Sequence, residues 1–208
     1  MSWKLALASL WLPPWTTRRE LSRVAAATTS ALDRLLAECS PEALEGMRHD
    51  DVAPRGTLEK RRAVLAAGHT ARVTRLTELL GREVAIDRAR RALFEAGVAL
   101  GEEARRRLRV GRTKRDLLRA AHILYRVLGI DFRAEWSSEG PTRIRIIRCA
   151  LARGYTRDAC LALSATDAGV VAGLWTGATL EFDERITEGK TACLARLALP
   201  GAPDEDAR

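Results

Sequence analysis

Apolar residues recur at helical spacing through the first two thirds of the chain, and after Gly129 the period shortens to two. The segment "TTRRELSRVAAATTSALDRLLAEC" carries a stripe through Leu21, Val24, Ala25, Leu32, Leu35 and Leu36, with Thr16 or Thr17 as N-cap and an end before Pro41. A polar stretch from His49 to Gly56 reads as a loop. A second helix is predicted from about Leu58 to Leu80, stopping at Gly81, and a third from about Val84 to Leu108. A fourth, "TKRDLLRAAHILYRVLG", is closed by Gly129.

Beyond Gly129, "IDFRAEWSS" sets Phe132, Ala134 and Trp136 against Arg133 and Glu135, and "TRIRIIRC" alternates again after an "EGP" turn. A helix follows in "TRDACLALSATDAGVVAGLWTG", capped by Thr156 and closed near Gly177. Its Ala168, Gly169, Ala172 and Gly173 suit a helix lying close against a sheet. The segments "ATLEFDERIT" and "TACLARLAL" complete a second hairpin. The predicted class is α+β: N-terminal helices, then strand-strand-helix-strand-strand, giving an antiparallel sheet covered by helices. The division is a helical region over 1–87, an α+β domain over 88–199 and an acidic tail over 200–208.

Composition changes this picture little. The 208 residues, 47% hydrophobic and 30% charged, suit a globular chain able to bury a core. The net charge of +8 comes almost wholly from arginine, because lysine occurs only at Lys4, Lys60, Lys114 and Lys190. The densest run, "EEARRRLRVGRTKRD", is flanked by acids and reads as a solvated helix end. Nucleic acid is therefore not an expected partner. Cys39, Cys149, Cys160 and Cys193 are too sparse for a disulfide framework, so a reduced, cytoplasmic setting is expected. The start, "MSWKLALASLWLPPW", is too short to span a bilayer. Its Trp3, Trp11 and Trp15 suit either weak association with a membrane interface or packing on the domain or on a second subunit of a homodimer.

Candidate chemistry gathers in the last hairpin. Strands paired around a Glu188-Gly189 turn would set Glu184 opposite Cys193, on the face of Leu180, Phe182 and Ile186. A helix returning to that hairpin would bring Cys160 near the pair, and Cys149 ends the preceding strand. Thiolates and a carboxylate at such a place suit zinc, with Cys149, Cys160, Glu184 and Cys193 as ligands. They equally suit catalysis, with Cys193 as nucleophile and Glu184 as acid or base. The alternative is structural: buried thiols as small hydrophobes, with Glu184 paired to an arginine or moved to solvent by a one-residue slip. Tyr125, Phe132, Trp136 and Trp175 would line an apolar pocket between helices and sheet, or serve as core. His69 and His122 sit in predicted helices as core or surface residues, and His49 lies in the polar loop without an identified partner.

The combination "CALARGYTRDACLALSATDAGVVAGLWTG" with "ERITEGKTAC" resembles the L-2-amino-thiazoline-4-carboxylic acid hydrolase-like family, and is distantly similar to the four-vinyl-reductase domain of bacteriochlorophyll enzymes and aromatic sensors. The resemblance covers roughly Arg88 to Leu199. It implies hydrolysis or binding of a small heterocycle at a cysteine and glutamate site, with Cys160, Glu184 and Cys193 placed to hold zinc. The sensor-type relatives imply the alternative, a non-catalytic domain that buries a small hydrophobic ligand. The further cysteine of the sensor-type zinc site is lacking, since Arg185 and Ile186 occupy its place.

Overall fold

The computed structural model describes residue 5 and residues 12–45, 47, 56–136 and 140–201. Five helices are described, α1 (Pro14–Cys39), α2 (Leu58–Leu80), α3 (Arg82–Leu108), α4 (Lys114–Leu128) and α5 (Arg157–Leu174), with a short 3-10 turn at Pro41–Leu44. The strands are β1 (Ile130–Glu135), β2 (Thr142–Cys149), β3 (Thr179–Glu184) and β4 (Cys193–Ala198). All pairings are antiparallel, in the order β1-β2-β4-β3. The class and order of elements are those the periodicity predicts. The division drawn between residues 87 and 88 falls inside α3.

Local chemistry accounts for most of the boundaries. The hydroxyls of Thr57, Thr113 and Thr156 each accept a backbone N–H in the first turn of α2, α4 and α5. Such a cap contributes about 1 kcal/mol. The first helix instead begins one turn earlier than the expected threonine cap: Pro14 opens it with its preset φ, and Thr17 turns its hydroxyl back to the Pro13 carbonyl. At the other end of α4, Gly129 takes a left-handed conformation at φ +71°, and Arg62 of α2 donates to the Val127 and Arg126 carbonyls. A cation there offsets the negative end of the helix dipole.

One face of the sheet is core. Ile130, Phe132, Ile144, Ile146, Leu180, Cys193, Ala195 and Leu197 pack with Leu117, Ala120 and Ile123 of α4 and with Leu174. The opposite face is solvated and charged, and Arg196 bridges Glu181 and Asp183 of the neighbouring strand. A second core joins α1, α2, α3 and α5 through Leu32, Leu36, Leu76, Leu93 and Leu163.

The glycines of α5 do a different job from the one predicted. Gly169 and Gly173 meet α3, while Ala168 packs against the sheet core. A Cβ on Gly169 would lie 2.1 Å from the Phe94 carbonyl oxygen, and one on Gly97 would lie 2.3 Å from that of Thr166. Gly101 and Gly173 repeat the contact one turn on, so two stripes of glycine at spacing four bring the helix backbones together.

The α1–α2 contact contains a charge. Arg72 is 1% exposed, and its Nε donates to Asp33 at 2.6 Å. Asp33→Ala removes both of the hydrogen bonds that this carboxylate accepts from the buried guanidinium and is expected to cost about 2 kcal/mol. Urea melts of the two proteins measure it; a loss below about 1 kcal/mol would mean that the pair behaves as a surface bridge.

Of the N-terminal tryptophans, Trp3 and Trp11 lie outside the described residues, while Trp15 is 67% exposed at the start of α1. Leu5 is buried in the sheet core. Among the described residues, no helix is long and apolar enough to cross a membrane. The expected loop lies outside the described residues from 49 to 55, as does the tail from 202.

Candidate ligand cavity

Because α5 is drawn onto α3 by its glycines, its other flank stands off from α1, α2 and the sheet. A cavity of about 80 Å³ remains there. Its walls are Val24 of α1, Leu65 and His69 of α2, Ile146 and Cys149 of β2, Cys160, Leu163 and Asp167 of α5, together with Tyr155, Phe182, Arg185 and Cys193. Two adjoining spaces of about 70 and 50 Å³ share Asp167 and Tyr125 as walls. Tyr125, Tyr155, Cys149, Cys160 and Asp167 are only half-buried although they lie inside the fold, since their remaining surface faces these cavities.

Asp167 is the only charged residue between Cys160 and Leu174. Burial pushes its carboxyl up to about 7 from the ordinary 3.8, against a hydrogen bond from the Tyr125 hydroxyl that favours the charged form. His69 moves the other way: burial, reinforced by the Arg72 charge, lowers it to about 3. Its tautomer follows from its neighbours. The Thr28 hydroxyl donates to the Val24 carbonyl at 2.8 Å, leaving its oxygen to accept from His69 Nε2 at 2.8 Å. Nδ1 then accepts from the Tyr155 hydroxyl at 3.0 Å. This closed network holds a neutral imidazole in the cavity wall.

The three thiols are all held protonated. Burial pushes Cys149 up to about 11, and it raises Cys160 and Cys193 despite the Thr187 hydroxyl beside the first and the Ile186 amide that donates to the second at 3.3 Å. A thiolate is the nucleophile and the metal ligand, so these groups are suppressed for both chemistries.

Glu184 is not with them. A bulge between Phe182 and Glu184 moves the register, and Glu184 pairs with Leu194 instead of Cys193. The turn is also longer than expected, a 3-10 segment over Ile186–Glu188 closed by Gly189. Glu184 therefore points outward, 40% exposed, with Lys190 at 3.7 Å. One extra residue in the strand was enough to invert its face. Cys149, Cys160 and Cys193 do share the cavity, but the carboxylate that would complete a zinc set or serve as acid and base lies outside it. Among the described residues, no group of three or more His, Cys, Asp or Glu could hold a metal ion.

The aromatic candidates divide. Tyr125 lines two of the spaces and Phe132 one, the latter packed edge-on to Tyr125 at 5.2 Å and stacked on His122 at 4.3 Å. Trp175 is core, its indole N–H donating to the Pro200 carbonyl at 3.1 Å. Trp136 lies under the Lys114 ammonium at 5.6 Å, away from the cavities described. Sequence reasoning missed Asp167, Tyr155, Arg185 and the role of His69. For Asp167 a signal existed: it is the one charged residue in the helix after its first turn.

No family model matches the sequence, and no curated protein matches it. Among solved structures, the fold is similar to the crystal structure of a trafficking protein particle complex subunit 3 from Naegleria fowleri covalently bound to palmitic acid. The TM-score is 0.53 at 14% sequence identity, over 69% of this chain and 98% of that one. This likeness overturns the resemblance to the thiazoline-carboxylate hydrolase-like family and the four-vinyl-reductase domain. The segments that carried that resemblance form a helix pressed onto α3 and a bulged hairpin, within a fold similar to a trafficking subunit.

Proposed function

We propose that the protein is a non-catalytic binding module that takes a small apolar molecule into the cavity between α1, α2, α5 and the sheet. The interior surface carries this reading: half-buried tyrosines and thiols inside the fold turn their free area towards a space otherwise walled by Val24, Leu65, Ile146, Leu163 and Phe182. Concave, mostly apolar spaces with a few polar groups are how proteins hold small ligands. Binding is favoured over hydrolysis because Glu184 stands outside and the thiols are held protonated. The trafficking subunit of similar fold holds palmitic acid covalently. In this chain the raised thiols favour a ligand held without a covalent bond.

The spaces of about 80, 70 and 50 Å³ together exceed the engineered cavity of about 150 Å³ that binds benzene. Chains of about eight carbons are the natural probe. At about ten times its dissociation constant, 1-octanol is expected to raise the melting temperature by about 3 to 5 °C, saturably and without product. Val24→Trp fills the wall shared by two of the spaces and should abolish the shift. An unchanged melting temperature in the parent protein, or an equal shift in the variant, would contradict the reading.

A further inference from the structure

Arg185 stands where the inner cavity meets an outer cleft. The cleft, about 680 Å³ between α3, α5 and β3, shares Phe182, Arg185 and Ser164 with the cavity as a common wall. The Arg185 side chain is unusual in what it lacks. It is 8% exposed, yet among the described residues its Nε has no hydrogen-bond partner. Its other contacts are long: Nη2 to the Ser164 hydroxyl at 3.4 Å, and Nη1 to Glu188 at 3.9 Å. Ser164, which donates to the Leu161 carbonyl at 2.8 Å, offers the guanidinium only a neutral oxygen, and Glu188 is shared with Arg157 at 3.5 Å. The ring of Phe182 lies 5.5 Å from the guanidinium and offers no acceptor in its plane.

A buried cation with a free donor is costly unless something completes it. We infer that Arg185 anchors an oxyanion head group, a carboxylate or a phosphate monoester, carried on an apolar chain that passes Phe182 into the inner cavity; this rests on the apolar-ligand reading above. The guanidinium fork matches such a head, because Nε–H and a terminal N–H point in parallel and receive two oxygens together. The rest of the cleft is mixed in charge, Arg90 and Arg91 against Asp87, Glu95 and Glu181, so the preference for an anion depends on Arg185. The donors lie on the partition, so the head stays at the cleft while the chain occupies the apolar side.

The test compares three probes of equal chain length, 1-octanol, octanoate and octyl phosphate, by calorimetric titration of the full chain at pH 8. The parent protein is expected to bind at least one of the anions roughly ten- to a hundredfold more tightly than the alcohol, the usual gain of a charge-assisted pair of hydrogen bonds. Arg185→Gln should erase that preference, bringing the anions down to the alcohol's affinity. Arg185→Lys, which keeps the charge but not the fork, should retain part of it. Octanoate bound best points to a fatty acid, and octyl phosphate bound best to a phosphorylated lipid; either supports the anchor. Should Arg185→Gln not fold, the ranking of the three probes on the parent protein still decides. Alcohol bound as tightly as both anions would overturn the inference and leave the apolar-ligand reading standing. Binding of none of the three would overturn both. Equal weakening of all three in Arg185→Gln would make the residue structural and overturn the anchor alone.

Discussion

Gly169→Ala is expected to destabilise the protein by about 3 kcal/mol or more, and Gly169→Leu to prevent folding. The sign is diagnostic. In an ordinary helix interior, alanine in place of glycine stabilises by up to about 1 kcal/mol, because it removes backbone freedom from the unfolded chain. Here the added methyl would sit 2.1 Å from the Phe94 carbonyl oxygen and 2.9 Å from the Val98 nitrogen. Both are backbone atoms of α3, so neither can rotate away. Relief requires the two helices to part along a contact that Gly97, Gly101 and Gly173 share, opening the core around Leu93 and Leu163. Gly189→Ala provides the comparison: among the described residues nothing lies within 4 Å, and only its positive φ of 83° is strained, at about 1 kcal/mol. Urea denaturation midpoints of the three proteins rank the effects. A Gly169→Ala protein as stable as its parent would mean that the α3–α5 approach is looser than described.

Relative to the parent, acidification should affect two variants in opposite directions. Folded Asp167 holds its proton up to about 7, while the unfolded chain releases it near 3.8. Between those values the native state binds more protons, so this group's contribution to stability is greatest below about pH 4 and falls as pH rises towards 7. Folded His69 refuses a proton until about 3, whereas the unfolded chain takes one below 6.5. Its contribution is intact above 6.5 and is lost as pH falls towards 3. Each amounts to about 4 kcal/mol at full extent, and between about pH 4 and 6.5 the slopes oppose each other. Asp167→Asn should therefore be acid-sensitive, losing several kcal/mol relative to its own value at pH 7.5 when measured at pH 4.5. His69→Gln should gain stability over the same interval. Chemical denaturation at the two pH values, each variant compared with its parent, cancels the contribution of all other groups. Parallel pH profiles for the two variants would remove this account of the cavity wall.

The fold was more legible than the site, for a physical reason. Helices and strands here follow the repeat of apolar positions, and threonine caps with glycine stops mark most of their ends. Faces and partners depend on single residues. The bulge before Glu184 has no sequence mark, since Asp183 follows Phe182 as plain strand alternation would have it, yet it reverses which side chain meets Cys193. The glycines of α5 announced a close approach without saying to what; the matching pair Gly97 and Gly101, four residues apart in α3, was the clue that a helix was the partner. Asp167 is the one charge in α5 beyond its first turn and marked the cavity, while Tyr155 and Arg185 lie in connections whose course only the assembled fold determines.

The central claim is an interior space that accepts an apolar chain. Calorimetric titration of the unmodified protein with 1-octanol at pH 7.5 and several temperatures tests it most directly. One saturable site with a negative heat-capacity change, the mark of apolar surface leaving water, is the predicted result. Heat without saturation, or a heat-capacity change near zero, would contradict it.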